Sequence, residues 1–411
     1  MWTMVAWLMA CSGETEKPVV SAPLPVEPPP LQGPLPALLM VQSVFADGPD
    51  GKKVPQPARL TIWRTDGQRW SSENIEDPSS NVFHKAMPFE DGILTVSGEK
   101  ARVTLWKHAA DGWKPEVLVE RAWGGPHDRF RDVEVGDVNG DGVDELVLAT
   151  HDQGIVMVGA RASGAWTWTE LDRAPDTFVH EVEIGDVDGD KRKEFYATPS
   201  GRNRADQSSQ SGGVVRYDAD GAGGYKRTKQ FFEDESHFKE ILAADVNGDG
   251  VDELYGVREA VTVRNGDKVE VKDPVRILRF ATDAKGEWKP EVVATLDDRQ
   301  CRFLSPGDVD GDGKVDLVAA GWKSGLWVLR SQADGTFAGT LVDATSTAFE
   351  NVAHVADLDG DGKVEIYNAP DDAHELRRYT WNGTAFDRTT IGPLSPSGQQ
   401  VLTWNLQSGK L

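Results

Sequence analysis

The sequence is poor in cysteine. Two occur in 411 residues, Cys11 and Cys301, so a disulfide framework cannot hold the fold. Sustained helical periodicity is also missing, which excludes helical bundles. Positive charge is short: 44 Lys and Arg face 67 Asp and Glu, for a net charge of −23. Nucleic acid and anionic lipid both need a basic footprint, so neither is expected as a partner. Catalytic signatures are lacking as well. There is no G-x-S-x-G, no H-E-x-x-H and no Gly-rich phosphate loop, and the eight histidines are scattered.

What is present begins with an apolar start, MWTMVAWLMAC, too short to span a membrane as a helix. It reads as the apolar region of an export signal. Leu8-Met9-Ala10-Cys11 resembles a bacterial lipobox. That likeness implies lipidation of Cys11 after secretion across the inner membrane. The protein would then be anchored to the cell envelope by lipid alone, with the outer membrane of a Gram-negative cell as the expected site. No lysine or arginine precedes Lys17, which leaves the translation start open. Eight prolines lie between Pro18 and Pro36. Proline cannot donate to a ladder, so the stretch reads as an extended spacer. The expected organisation is residues 1–11 as signal and lipobox, 12–37 as linker and 38–411 as one repeat domain.

Two signals recur through that domain. The first is an acidic glycine loop. It reads DVNGDGVDEL from Asp137 and from Asp245, DVDGDKRKEF from Asp186, DVDGDGKVDL from Asp308 and DLDGDGKVEI from Asp357. The opening aspartates stand 49, 59, 63 and 49 residues apart (137 to 186 to 245 to 308 to 357), near the period of propeller blades. The second is a turn followed by an aromatic residue: Asp66-Gly67, Asp111-Gly112, Ser163-Gly164, Asp220-Gly221, Lys285-Gly286, Asp334-Gly335 and Asn382-Gly383. Such dipeptides supply the positive φ of a hairpin. The seven hairpins, with strand-like runs before them, predict an all-β, seven-bladed β-propeller. The C-terminal run Val401–Leu406 is expected to complete the first blade's sheet.

The acidic loops have the ligand pattern of a hard cation, which takes six to eight oxygens. In the fourth loop Asp308, Asp310 and Asp312 stand at positions one, three and five, and Gly313 allows the sharp turn. Lys314 offers its carbonyl at position seven and Asp316 closes the shell. The same roles fall to Asp137, Asn139, Asp141, Val143 and Glu145; to Asp245, Asn247, Asp249, Val251 and Glu253; and to Asp357, Asp359, Asp361, Lys363 and Glu365. They fall also to Asp186, Asp188, Asp190, Arg192 and Glu194, where Lys191 replaces the glycine at a cost of about 1 kcal/mol if the backbone is left-handed. About five structural calcium ions are expected, in strand-to-strand turns. Blade two has only Asp91-Gly92 at this point.

These repeats resemble the FG-GAP or VCBS-type repeat, the unit of the seven-bladed propeller at the head of integrin α subunits. The likeness spans roughly residues 38–391. It implies extracellular, calcium-dependent recognition of a glycan or protein partner, as in adhesins and receptor heads. A polysaccharide lyase, with Lys239 or His180 as base, is the alternative; a purely structural module of a surface complex is the third reading.

Six residues before each loop aspartate stand Lys85, Arg131, His180, Lys239, Arg302 and Asn351. The segment between reads as each blade's innermost strand. These residues are therefore expected at the strand's start, opposite the calcium loops and near the central channel. Five can carry positive charge, suiting an acidic glycan; pairing with Asp132, Glu181 and Glu240 is the competing expectation. Cys301 is expected to be a buried, inert thiol.

Overall fold

The computed structural model describes residues 31, 33–125, 128–151, 153–202, 204, 208–282, 288–395 and 399–411. The expected export signal, Cys11 and most of the expected linker lie outside these residues, as do His127 and the Lys285-Gly286 dipeptide. Within them the protein is all β, and the only helical element described is a 3-10 turn at Asp371–Ala373. No helix of the described residues is long and apolar enough to cross a membrane.

Among the described residues the strands form seven antiparallel blades, six of four strands and the first of five, beside one two-stranded hairpin. Blade two is typical. Phe83–Phe89, Gly92–Ser97, Ala101–Ala109 and Gly112–Arg121 follow one another outward. Blades three to seven repeat this plan, with inner strands Phe130–Gly136, Thr177–Gly185, Phe238–Ala244, Cys301–Gly307 and Val352–Ala356. The inner strands contact one another around the axis. Each described Gly turn of the second signal joins the third strand to the fourth.

Blade one is assembled from both ends of the chain. Its inner strand is Gln400–Lys410, which pairs with Pro36–Asp47 from Pro36↔Lys410 to Phe45↔Gln400. The expected closure is present, and the first strand opens at Pro36, two residues inside the anticipated linker. The cut in the ring also explains why blade one has no acidic loop. Its inner and second strands meet where the two chain ends pair, Leu35 N–H to Leu411 O at 2.9 Å and the reverse at 3.0 Å. In blade two the loop shrinks to the two-residue turn Glu90-Asp91, with Glu90 at φ 51°.

The core sits between blades. A buried apolar cluster fills each of the seven junctions, such as Leu38, Met40 and Trp63 of blade one against Val352, Tyr367 and Leu376 of blade seven. The others repeat this packing. One blade cannot cover its own faces, so burial requires the complete ring.

Blade five carries the largest addition, and blade one a short extra strand, Lys53–Pro55. In blade five a hairpin, Val261–Asn265 and Lys268–Asp273, is inserted between the second and third strands. It accounts for most of the excess of the longest loop-to-loop spacing over the 49-residue ones.

Candidate metal loops and ligand cleft

The five acidic loops join first to second strands and lie on one face of the ring. Their backbones are held by their own carboxylates. Asp137 accepts the N–H groups of Gly140, Asp141 and Gly142 at 2.7, 3.2 and 2.9 Å, and Asp245 accepts those of Gly248, Asp249 and Gly250 at 2.7, 3.0 and 2.8 Å. In every loop the position-five aspartate accepts the position-seven N–H, that of Val143, Arg192, Val251, Lys314 or Lys363, at 2.8–2.9 Å. The position-six glycines have φ of 85–88°, and Lys191 adopts the same left-handed geometry at 67°.

The oxygens converge. Asp186, Asp188 and Glu194 bring ligand atoms within 4.8 Å of one another, as do Asp308, Asp310 and Asp316, and Asp357, Asp359 and Asp361. Asp186 Oδ1 and Asp316 Oδ2 are buried without a hydrogen-bond partner. A buried oxygen in that state is costly unless a cation or water completes it. Burial, helped by the neighbouring aspartates and opposed by backbone hydrogen bonds, raises the Glu145 carboxyl to about 7 and that of Asp316 to about 6. The donor set therefore fits a hard divalent cation. In the two asparagine loops the amides of Asn139 and Asn247 are turned toward Glu145 and Glu253.

An arginine from each aspartate-containing blade meets position three. Arg216 lies 2.5 Å from Asp188, Arg330 2.7 Å from Asp310 and Arg378 3.2 Å from Asp359. Four carboxylates less one arginine carry the same charge as three carboxylates and an amide. Counting only the ligand side chains and these arginines, the five loops are matched in charge; Lys191, Arg192, Lys193, Lys314 and Lys363 add positive charge beside three of them.

On the opposite face the six expected residues sit at the starts of the inner strands, but they do not form one ring. β-Bulges occur at or beside them in blades two to six. Arg131, His180, Lys239 and Arg302 fall inside register shifts between Phe130 and Asp132, Val179 and Val182, Phe238 and Glu240, and Cys301 and Leu304; in blade two the shift spans His84, next to Lys85. A bulge re-aims side chains and frees backbone groups. Two freed N–H groups are taken by the preceding blade: Val182 N–H by Asp132 at 2.9 Å and Leu304 N–H by Glu240 at 3.1 Å.

The bulged residues divide between two chambers. The channel is a cavity of about 260 Å³ lined by Lys85, Arg131, Asp132, Glu134, Glu181, Glu183 and Glu240 among others. Lys85 pairs with Asp132 at 2.9 Å and with Glu134. Burial opposes its charge, but those carboxylates hold its ammonium well above the usual lysine range. Burial raises Glu240 to about 8. Arg131 reaches across the ring to Glu350 at 3.5 Å and lies over the Trp404 ring. Glu350 is bound as well by Arg302. Here the pairing expectation describes the geometry: Lys85 and Arg131 are engaged by acids.

The second chamber is a cleft of about 390 Å³ at the mouth of blades four to six, lined by Lys239, Arg302, His237, Glu259, Trp322 and Phe349 among others. Lys239 and Arg302 are 5% and 9% exposed. His180 is buried beneath the surface against His151 and Phe178. Asn351 is fully buried, with its amide donating to Gly321 O at 2.6 Å and Ser346 O at 2.9 Å; it braces a turn rather than facing either chamber. Cys301 is buried, its Sγ toward Phe303 O, and burial pushes its thiol far up.

The second-to-third-strand connections of blades four and five are long, residues 202–211 and 259–274; Arg204 and Ser208–Gln210 of the first and Glu259, Ala260 and Thr262 of the second line the cleft. Corresponding connections in blades three, six and seven are only 151–155, 322–325 and 370–374. The sequence signal was available in the 59- and 63-residue spacings, which mark the two blades carrying the additions.

Residues 308–368 match the FG-GAP-like repeat. The chain is a seven-bladed propeller that carries this repeat. The matched FG-GAP segment runs from the acidic loop of blade six through the second strand of blade seven. No curated protein matches the sequence. Among solved structures, a 6-phosphogluconolactonase-like protein of Bacteroides fragilis superposes with a TM-score of 0.56 at 13% identity, covering 91% of this chain and 98% of that one. The periplasmic gluconolactonase of Pseudomonas aeruginosa gives 0.54 at 14% identity, with 91% and 99% covered. At these identities the likeness is one of fold.

Proposed function

We propose that this FG-GAP propeller is a calcium-braced recognition module of the cell envelope, lipid-anchored through Cys11, that binds a glycan or protein partner on the face opposite its acidic loops. The observation that carries the reading is the placement of the two long insertions. Both belong to adjacent blades, both rise on one face, and both border the same cleft. Insertions in a repeat array collect on the binding face. The acidic loops lie on the other face, and their ligand positions are filled by the chain itself, so their ions are structural. For a lyase, His180 is a poor base, being buried and held far below the usual imidazole range by burial and nearby cations, which leaves Lys239 as its candidate.

The test replaces residues 263–270 by Gly-Gly, joining the cross-strand partners Thr262 and Val271. Binding to an array of glycans and extracellular proteins is compared with that of the parent protein, with calcium and with chelator. The expected result is loss of binding with an unchanged melting temperature in calcium, and loss of binding on chelation. Binding indifferent to the hairpin would place recognition elsewhere.

A further inference from the structure

We propose that the cleft between blades four, five and six takes the carboxylate of an acidic sugar, with Lys239 and Arg302 at its floor and Trp322 as its stacking wall. This inference rests on the recognition reading above and names its ligand class.

Charge is the first argument. The protein is strongly acidic, yet this cleft is lined by Lys239, Arg204, Arg299 and Arg302 against one carboxylate, Glu259. Arg302 is shared between Glu259 at 3.3 Å and Glu350. Lys239 has Arg302 and Arg131 near it as well as Glu259 and Glu350, with neutral His180 and His237 beside them. Burial, and then Arg302, hold its ammonium down to about 7. Burial and the neighbouring arginines oppose the charge on Lys239, and an entering anion favours it.

Position is the second. Lys239 and Arg302 occupy bulges, where each strand departs from its ladder to re-aim a side chain.

The third argument selects a sugar. Trp322 and Phe349 line the same cleft, and Phe349 is 42% exposed. Arg299 lies 5.5 Å from the Trp322 ring centre and Arg302 4.7 Å from that of Phe349, which keeps the cations beside aromatic faces. Ser209 and Thr262 supply hydroxyls from the two insertions, tied to each other at the rim. A carboxylate next to an apolar ring face edged with hydroxyls is the chemistry of a uronic acid. The volume lies in the range of a small-ligand site.

Titration calorimetry of the calcium-loaded protein tests this. The probes are short oligosaccharides of galacturonate, of mannuronate and of glucuronate alternating with N-acetylglucosamine, with a galactose trisaccharide and a tetra-aspartate peptide as controls. At least one uronate probe should bind, at least tenfold more tightly than the galactose trisaccharide and the peptide. Lys239→Met and Trp322→Ala should each weaken it at least tenfold while keeping the parent melting temperature. Binding to no uronate probe, equal binding by both variants, or peptide binding as tight as the sugar would overturn the proposal. If the array instead yields an uncharged ligand lost with the hairpin replacement, recognition at this face stands and the acidic sugar falls.

Discussion

Arg378 lies across the sheet from Tyr367 and reaches Asp359 in the loop below. Its role follows from charge. With Arg378 present, the Asp359 carboxylate at position three has a counterion; without it, the four ligand carboxylates lose that cation. Arg378→Met should destabilise the metal-free protein by about 0.5–1 kcal/mol, the range of a half-exposed pair. Calcium should then raise the melting temperature by more than it does in the parent, because the same cation meets a more negative cage. Thermal unfolding with and without calcium reads both effects, and an unchanged calcium increment would remove the charge-matching role. At this scale the sequence was informative about loop ligands and silent about their arginines. Ligand spacing is local, whereas Arg216, Arg330 and Arg378 arrive from another strand. The supposed basic ring failed for a related reason. Equal offsets from the loop predicted equal surroundings, but bulges broke the two-residue alternation and sent Lys85 to the channel and Lys239 to the cleft, while Asn351, ahead of an unbulged strand, braces a turn.

Loops and hairpins show what a local pattern can and cannot fix. Glycine turns marked the outer hairpins because positive φ is a property of one residue. The loop at Asp186 is the exception that this logic exposes. Lys191 holds the left-handed conformation that glycine occupies in the other four loops. Lys191→Gly should stabilise the protein by about 0.5–1 kcal/mol, the relief of side-chain strain less the extra entropy of glycine. Lys191→Ala, which keeps a Cβ at the same φ, should give no gain. Denaturant melts of the two variants decide it; equal effects would mean that the lost lysine charge, not the backbone, is responsible. The inserted hairpin of blade five was less legible. Its strands alternate weakly and are largely exposed, so only the stretched repeat announced it.

The whole ring depends on one late strand, and its latch contains a titratable group. Gln400–Lys410 was readable as a closing strand because its residues Val401-Leu402-Thr403-Trp404 have no partner near them in sequence. What secures it was not readable. Asp371, in the turn of blade seven, accepts the Thr403 N–H at 3.0 Å and its hydroxyl at 2.7 Å. Gln42 of the neighbouring strand donates to the same hydroxyl at 3.2 Å. Burial raises the Asp371 carboxyl to about 7, against the hydrogen bonds from Thr403, with Asp372 and Glu350 adding to the rise. The folded protein therefore holds a proton on Asp371 that the unfolded chain releases near pH 4. The stabilisation from this group is complete below that pH and is lost as pH climbs to about 7. Asp371→Asn keeps the shape and stays neutral. It should match the parent near pH 4 and exceed it by about 1–3 kcal/mol at pH 8, with the difference developing between those values. Guanidinium melts across that range measure it. A difference that does not change with pH would mean that Asp371 is not the group that titrates in the latch.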